Sequence, residues 1–166
     1  RATKVFFMSK KQRSDSIKVL QLDKHKTVVL SSVFSDDTLN YISSLRQKAF
    51  LKTDSWIVSD SPQPIKGSSK AKEWCSNNNK EFEAIHGIEY KKMLEKLSQS
   101  KGLCFLPEGP DTCPRLTIEA KLLGCELELN NKVLHKGEKW FDTNDIESIE
   151  SYLRNVPNVF WEEIRI

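Results

Sequence analysis

The alternation of apolar and polar positions changes period several times along the chain. Three short apolar segments open it: KVFFM at 4–8, IKVLQL at 17–22 and TVVLSS at 27–32. Each is brief and rich in β-branched or aromatic residues, so each reads as extended. The polar stretch SKKQRSDS lies between the first two and reads as a turn, which predicts a β-hairpin there. Ser35 then precedes Asp36 and Asp37, and Leu39, Ile42, Leu45 and Phe50 recur near helical spacing. That pattern predicts a helix with Ser35 as its N-cap.

From residue 55 onward strands and helices alternate. SWIVSD at 55–60 is a β-rich run, and SPQPIKGSS after it is the clearest loop in the chain. KAKEWC continues as a helix up to the stop at Asn77, Asn78 and Asn79. FEAIH at 82–86 reads as a strand broken by Gly87. In EYKKMLEKLSQS, residues Tyr90, Met93, Leu94 and Leu97 stand at i, i+3, i+4 and i+7, one helical face expected to pack in the core. GLCFLP is a strand, EGPDTC a loop, PRLTIEAKLLG a helix and CELELN a strand. Pro114 suits the first helical position, with Thr112 or Cys113 as N-cap, and Gly124 suits a left-handed C-terminal cap. A last helix is expected over 143–154, starting at Thr143-Asn144-Asp145, and WEEIRI closes the chain.

Strands near 27, 55, 82, 103 and 126 alternating with helices imply an α/β fold. The expected form is a Rossmann-like, doubly wound, mostly parallel sheet with helices on both faces. At 166 residues the chain is expected to be a single domain. Residues 1–50 supply N-terminal strands plus a helix, as extra edge strands, and residues 54–155 form the core.

Composition narrows the function classes. A near balance of 26 basic and 23 acidic residues gives no electrostatic case for nucleic-acid binding. No apolar run approaches the roughly 20 residues of a membrane helix, so no span is expected. Cys75, Cys104, Cys113 and Cys125 show no metal-ligand spacing and read as free structural thiols, which points to a reducing, cytoplasmic setting. His25, His86 and His135 each stand alone, and surface or packing roles suit them. No metal site and no cofactor are expected.

The informative segment is FLPEGPDTCPRLTIEAKLLG at 105–124. It leaves a strand's carboxyl end and enters a helix N-terminus, where unpaired amides and the helix dipole favour an anion such as a phosphate. Gly109 allows close backbone approach. Arg115 on the first turn opposes the dipole, and a bound diphosphate would reverse the sign of that interaction. Asp111 and Glu119 are two acids separated by seven residues, with Glu119 at the flank of the buried stripe formed by Leu116, Ala120 and Leu123.

This segment, continued to Asn130, resembles the second-domain signature of GT-B fold glycosyltransferases, the retaining nucleotide-sugar transferases especially. That pattern runs from a strand ending in Leu-Pro through a Gly-containing loop to an acid, seven residues, Glu-Ala and Gly-Cys. SWIVSDSPQPIKG resembles the first strand and loop of the same half-domain. The match covers about residues 54–155, which are therefore expected to be a donor-binding core. The resemblance implies that Glu119 binds the nucleotide ribose and that Asp111 lies by the donor sugar as the catalytic acid group. It places Lys66 on the diphosphate, and Gly109, Thr112 and Arg115 are expected with it as donor-binding residues. The family's usual first acid is Glu, and an Arg stands where this chain has Ser61; Glu108 is also present, out of register. The implied activity is sugar transfer from a nucleoside-diphosphate sugar to an acceptor, with the acceptor-binding domain in a longer chain or a partner. The alternative is a non-catalytic α/β interaction module that keeps the GT-B-like fold.

Overall fold

A computed structural model describes residues 3–48 and 51–165; Phe50 lies outside the described residues. The first elements are β1 (Val5–Phe7), α1 (Lys10–Leu20), β2 (Thr27–Val29) and α2 (Asp36–Gln47). The core follows as β3 (Trp56–Ser59), α3 (Ser68–Asn77), β4 (Phe82–Ile85), α4 (Tyr90–Gln99), β5 (Gly102–Phe105), α5 (Arg115–Leu122), β6 (Glu126–Leu129) and α6 (Ile146–Ile164).

The four core strands are all parallel, in the order β4-β3-β5-β6. Side-chain alternation sorts their residues to two faces. Trp56, Val58 and Cys104 pack with Ala71 and Cys75 of α3 on one face. Ile57, Leu103 and Phe105 face the main core, built with α2, α4, α5 and α6. This is the expected Rossmann-like, doubly wound fold. The chain leaves β3 in one direction, to β4, and leaves β5 in the other, to β6. The carboxyl ends of β3 and β5 are therefore the point where strand order reverses and the two outgoing loops part.

The N-terminal segment departs from the sequence expectation. IKVLQL is not a strand, and no hairpin forms. Ser9 caps α1 by accepting from the Gln12 amide at 3.1 Å, while the Gln12 side chain accepts from the Met8 amide at 2.8 Å. These reciprocal bonds satisfy orphan amides at the helix start, as a capping box does. Nor do residues 3–48 extend the main sheet. β1 and β2 pair in parallel as a separate two-stranded sheet joined through α1. That sheet is tied to the core from outside: the Ser32 hydroxyl donates to the Cys113 carbonyl, the Glu138 carboxylate accepts from the Lys10 amide, and Phe6 packs on Phe160 of α6.

Smaller corrections concern helix ends. Ser35 caps α2 as expected, accepting from the Thr38 amide. Pro114 is itself the N-cap of α5, in extended conformation, so neither Thr112 nor Cys113 takes that place. Gly124 is left-handed at φ 72°. The final helix is longer than 143–154: Asp145 caps it, and it runs through Pro157 to Ile164. Tertiary packing of Ile149, Leu153 and Val156 outweighs the one backbone bond that Pro157 forfeits. The four cysteines are free and buried, as read from their spacing. Burial pushes the Cys125 thiol up to about 11.

Two sites carry testable stability. Gly67 has φ +71°, and a β-carbon there would lie 1.9 Å from the Leu106 carbonyl oxygen. Gly67→Ala should cost at least about 2 kcal/mol in urea unfolding; a loss under about 0.5 kcal/mol would show that the two loops do not touch.

His135 is fully buried, stacked on Trp140, with Nε2 3.2 Å from the Thr117 hydroxyl. Thr117 Oγ1 already donates to the Pro114 carbonyl, so His135 Nε2 carries the proton and donates. Desolvation lowers the imidazole to about 4. The unfolded chain then binds the extra proton first, so this group removes stability as pH falls from about 6.5 towards 4. His135→Gln should flatten that part of the stability–pH curve; parallel curves for the two proteins would contradict the burial.

Candidate functional site

The loops leaving β3 and β5 meet at the reversal point and are stitched together. The Glu108 amide donates to the Ile65 carbonyl at 2.9 Å. Lys66 ends a 3-10 turn over Pro64–Lys66, and its Nζ lies 2.8 Å from Asp111 Oδ2. Asp111 is in turn fixed by its backbone. Its amide donates to the Lys132 carbonyl, and its carbonyl accepts from the Leu134 amide, in a short parallel bridge to the 130–134 loop. Gly109 lies against the exposed Ile65 side chain, which a β-carbon there would meet at 2.5 Å and push aside.

Three cavities run along this edge. The first, about 250 Å³, is lined by Ile65, Lys66, Gly109, Asp111 and Thr112 among others. The second, about 260 Å³, is lined by Ser61, Lys66, Asp111, Pro114 and Arg115. The third, about 270 Å³, is more apolar, with Ile85, His86, Ile88, Met93 and Leu116 in its walls. Lys66 and Asp111 line the first two, and Ser59, Ser61 and Leu116 line the last two, so the three form one crevice. Larger hollows lie away from it: one in the polar groove between α2 and α6, and one beside Lys121 and Phe141. The first is lined by α2 and α6 alone, and the second lies along the edge strand β6, so neither sits at the strand-order reversal, where an α/β sheet offers converging loops and helix amides.

Charge in the crevice is arranged by short connections. Arg115 lies with its guanidinium 4.4 Å over the Phe34 ring, which holds the planar group flat against an aromatic face. Its Nε is 3.6 Å from Glu119 Oε1. Two cations, Lys66 and Arg115, thus border the middle cavity together with Ser61, and among the described residues Asp111 is the one carboxylate in its wall. The helices that begin at this edge, α3, α4 and α5, have no side-chain N-cap, whereas α1, α2 and α6 are capped by Ser9, Ser35 and Asp145. Their first-turn amides remain as donors.

Of the six residues singled out from sequence, Lys66, Gly109, Asp111, Thr112 and Arg115 line the crevice. Glu119 does not stand open at its flank. It is 2% exposed, and Oε1 accepts a hydrogen bond from the Tyr90 hydroxyl at 2.7 Å. Burial pushes its carboxyl up, and the Tyr90 hydroxyl and Arg115 oppose that shift. Tyr90 is the residue the sequence reading missed. Its helical spacing with Leu94 and Leu97 placed it in the core stripe, yet it is 41% exposed while both leucines are fully buried. The available signal was its hydroxyl, since a tyrosine at the end of a buried stripe needs a polar partner. Phe34, beneath Arg115, was likewise not foreseen.

The chain matches no family model, no curated protein and no solved structure. Among the described residues no helix is long and apolar enough to cross a membrane. The chemistry open to the crevice therefore follows from its own residues: anion capture by two cations and free helix amides, beside an apolar recess.

The Lys66–Asp111 contact gives a direct check. Asp111→Asn removes the carboxylate that holds Lys66 and leaves the backbone bridge. Inorganic pyrophosphate should bind the variant several-fold more tightly than the native protein in calorimetry; weaker binding would mean that Asp111 supports the anion site through Lys66 placement.

Proposed function

We propose that this chain is the donor-binding half of a GT-B type glycosyltransferase, taking a nucleoside-diphosphate sugar as substrate. The observation that carries the reading is the convergence of Lys66, Arg115 and the uncapped start of α5 on one cavity at the strand-order reversal. The diphosphate lies in the middle cavity between the two cations. Arg115, stacked on Phe34, supplies the charge that Ser61 does not. The nucleobase occupies the apolar recess by Ile88, Met93 and Leu116, and Gly109 and Thr112 border the end where the sugar sits beside Asp111.

Departure of a nucleoside diphosphate develops negative charge on its terminal phosphate. Lys66, Arg115 and the helix amides are pre-placed against that charge, and holding the donor still supplies the rest of the protein's contribution. The acceptor and any facing catalytic groups come from another domain or partner. Without that covering layer the crevice is open to water, which weakens every electrostatic interaction in it. Four free buried thiols suit a reducing compartment such as the cytoplasm.

A second reading is a non-catalytic interaction module with the same fold. The pairing of Lys66 with Asp111 at 2.8 Å favours it, because that contact partly neutralises the anion site.

Titration with uridine, guanosine and adenosine diphosphates separates the two. At least one should bind with a micromolar to millimolar Kd, and Lys66→Ala and Arg115→Ala should each weaken it about tenfold, the scale of a lost charge-assisted hydrogen bond. Absence of heat at millimolar ligand would favour the interaction module. The purified chain alone should transfer no sugar to simple acceptors. Lys66-dependent transfer by the isolated chain would show that no covering domain is needed.

A further inference from the structure

Glu119 is a carboxylate roofed by two side chains that are themselves exposed. Tyr90 covers it from the start of α4, and Arg115 lies one turn earlier on its own helix. The Tyr90 hydroxyl is 3.5 Å from Arg115 Nη2 and 2.7 Å from Glu119 Oε1, so phenol, guanidinium and carboxylate form one cluster. Among the described residues no hydrogen bond reaches Glu119 Oε2. An ionised carboxylate offers about four lone-pair positions, so this one keeps acceptor capacity beneath a thin roof.

The roof is attached to a segment with few local restraints. Tyr90 follows Gly87, which is left-handed at φ 65° with open space around its α-carbon, and Glu89, the helix N-cap, makes no side-chain bond. Tyr90 is 41% exposed, and the one short hydrogen bond of its hydroxyl is the donation to Glu119, with Arg115 Nη2 more distant at 3.5 Å. Arg115 is independently held by the Phe34 ring, so the cluster does not need Tyr90 to keep the guanidinium at the cavity. A donor that swings away from Glu119 must be replaced, because a buried carboxylate without partners is costly.

We infer that Tyr90 is a displaceable latch: its hydroxyl occupies on Glu119 the place that a vicinal diol of the ligand takes when the crevice fills. This inference rests on the nucleoside-diphosphate reading of the site and adds a residue to it. The diol donates two hydrogen bonds where Tyr90 donates one, and the rotated phenol is left at the mouth of the apolar recess. Ligand selection follows. A molecule with the diphosphate but no diol binds without opening the latch, and one with both must break the Tyr90–Glu119 bond before gaining its own.

The test uses whichever of uridine, guanosine or adenosine diphosphate binds best, its 2′,3′-dideoxy analogue, and inorganic pyrophosphate, each titrated into the native chain and Tyr90→Phe. The variant removes only the competing hydroxyl. It should bind the ribonucleotide about tenfold more tightly and leave the dideoxy analogue and pyrophosphate unchanged. Glu119→Gln in the Tyr90→Phe background should abolish the preference for ribose over dideoxyribose, and melting curves show whether each variant folds. Equal or weaker ribonucleotide binding by Tyr90→Phe overturns the latch while leaving the anion site standing, as does an equal gain for pyrophosphate. Failure of native and variant chains alike to bind any nucleoside diphosphate overturns both readings.

Discussion

The approach of two loops at the carboxyl edge of the sheet governs the rest of the molecule. Gly67 is placed so close to the Leu106 carbonyl that no β-carbon fits, and only a residue without one tolerates its positive φ. That contact sets the start of α3 beside the loop that leads into α5. It also brings Lys66 to Asp111 and directs Arg115 and Lys66 to a shared cavity. The parallel sheet supplies the geometry on which this depends, since strand order reverses between β3 and β5 and their loops diverge from one place.

Electrostatics at this edge are deliberately incomplete. Three helices begin there without side-chain caps, while those elsewhere are capped by serine or aspartate. The α4 and α5 starts each give up of order 1 kcal/mol of helix stability, and the α3 start, capped by Gly67, a few tenths. The buried groups around the site carry further cost: Glu119 lies under Tyr90, and His135 stays neutral behind Thr117. Such features are expected where a fold trades stability for ligand contacts.

Much of this was legible from the chain, and the failures have physical causes. The core strands and α2 to α5 followed from apolar period and from Asn, Gly and Pro stops, because there packing and local preference agree. Residues 17–22 misled, since Ile17, Val19 and Leu20 look extended while the Ser9–Gln12 caps commit the segment to helix. The separation of β1 and β2 from the main sheet could not be read, because strand pairing is a long-range choice and both strands are three residues long. Lys66, Gly109, Asp111, Thr112 and Arg115 were singled out through spacing and resemblance, and the fold brings them to one crevice. Glu119 was placed near its true position but taken as open, because the side chain that covers it comes from another helix, 29 positions away in sequence.

We propose that this edge receives a nucleoside diphosphate. Amide chemical shifts of the isotope-labelled chain, followed during titration with uridine, guanosine and adenosine diphosphates, test it residue by residue. The account predicts saturable shifts for at least one of the three at Ser61, Lys66, Gly67, Ser68, Arg115 and Leu116, with smaller ones at Ile88 and Tyr90. Shifts centred instead on the groove between α2 and α6, or none at millimolar ligand, would contradict it.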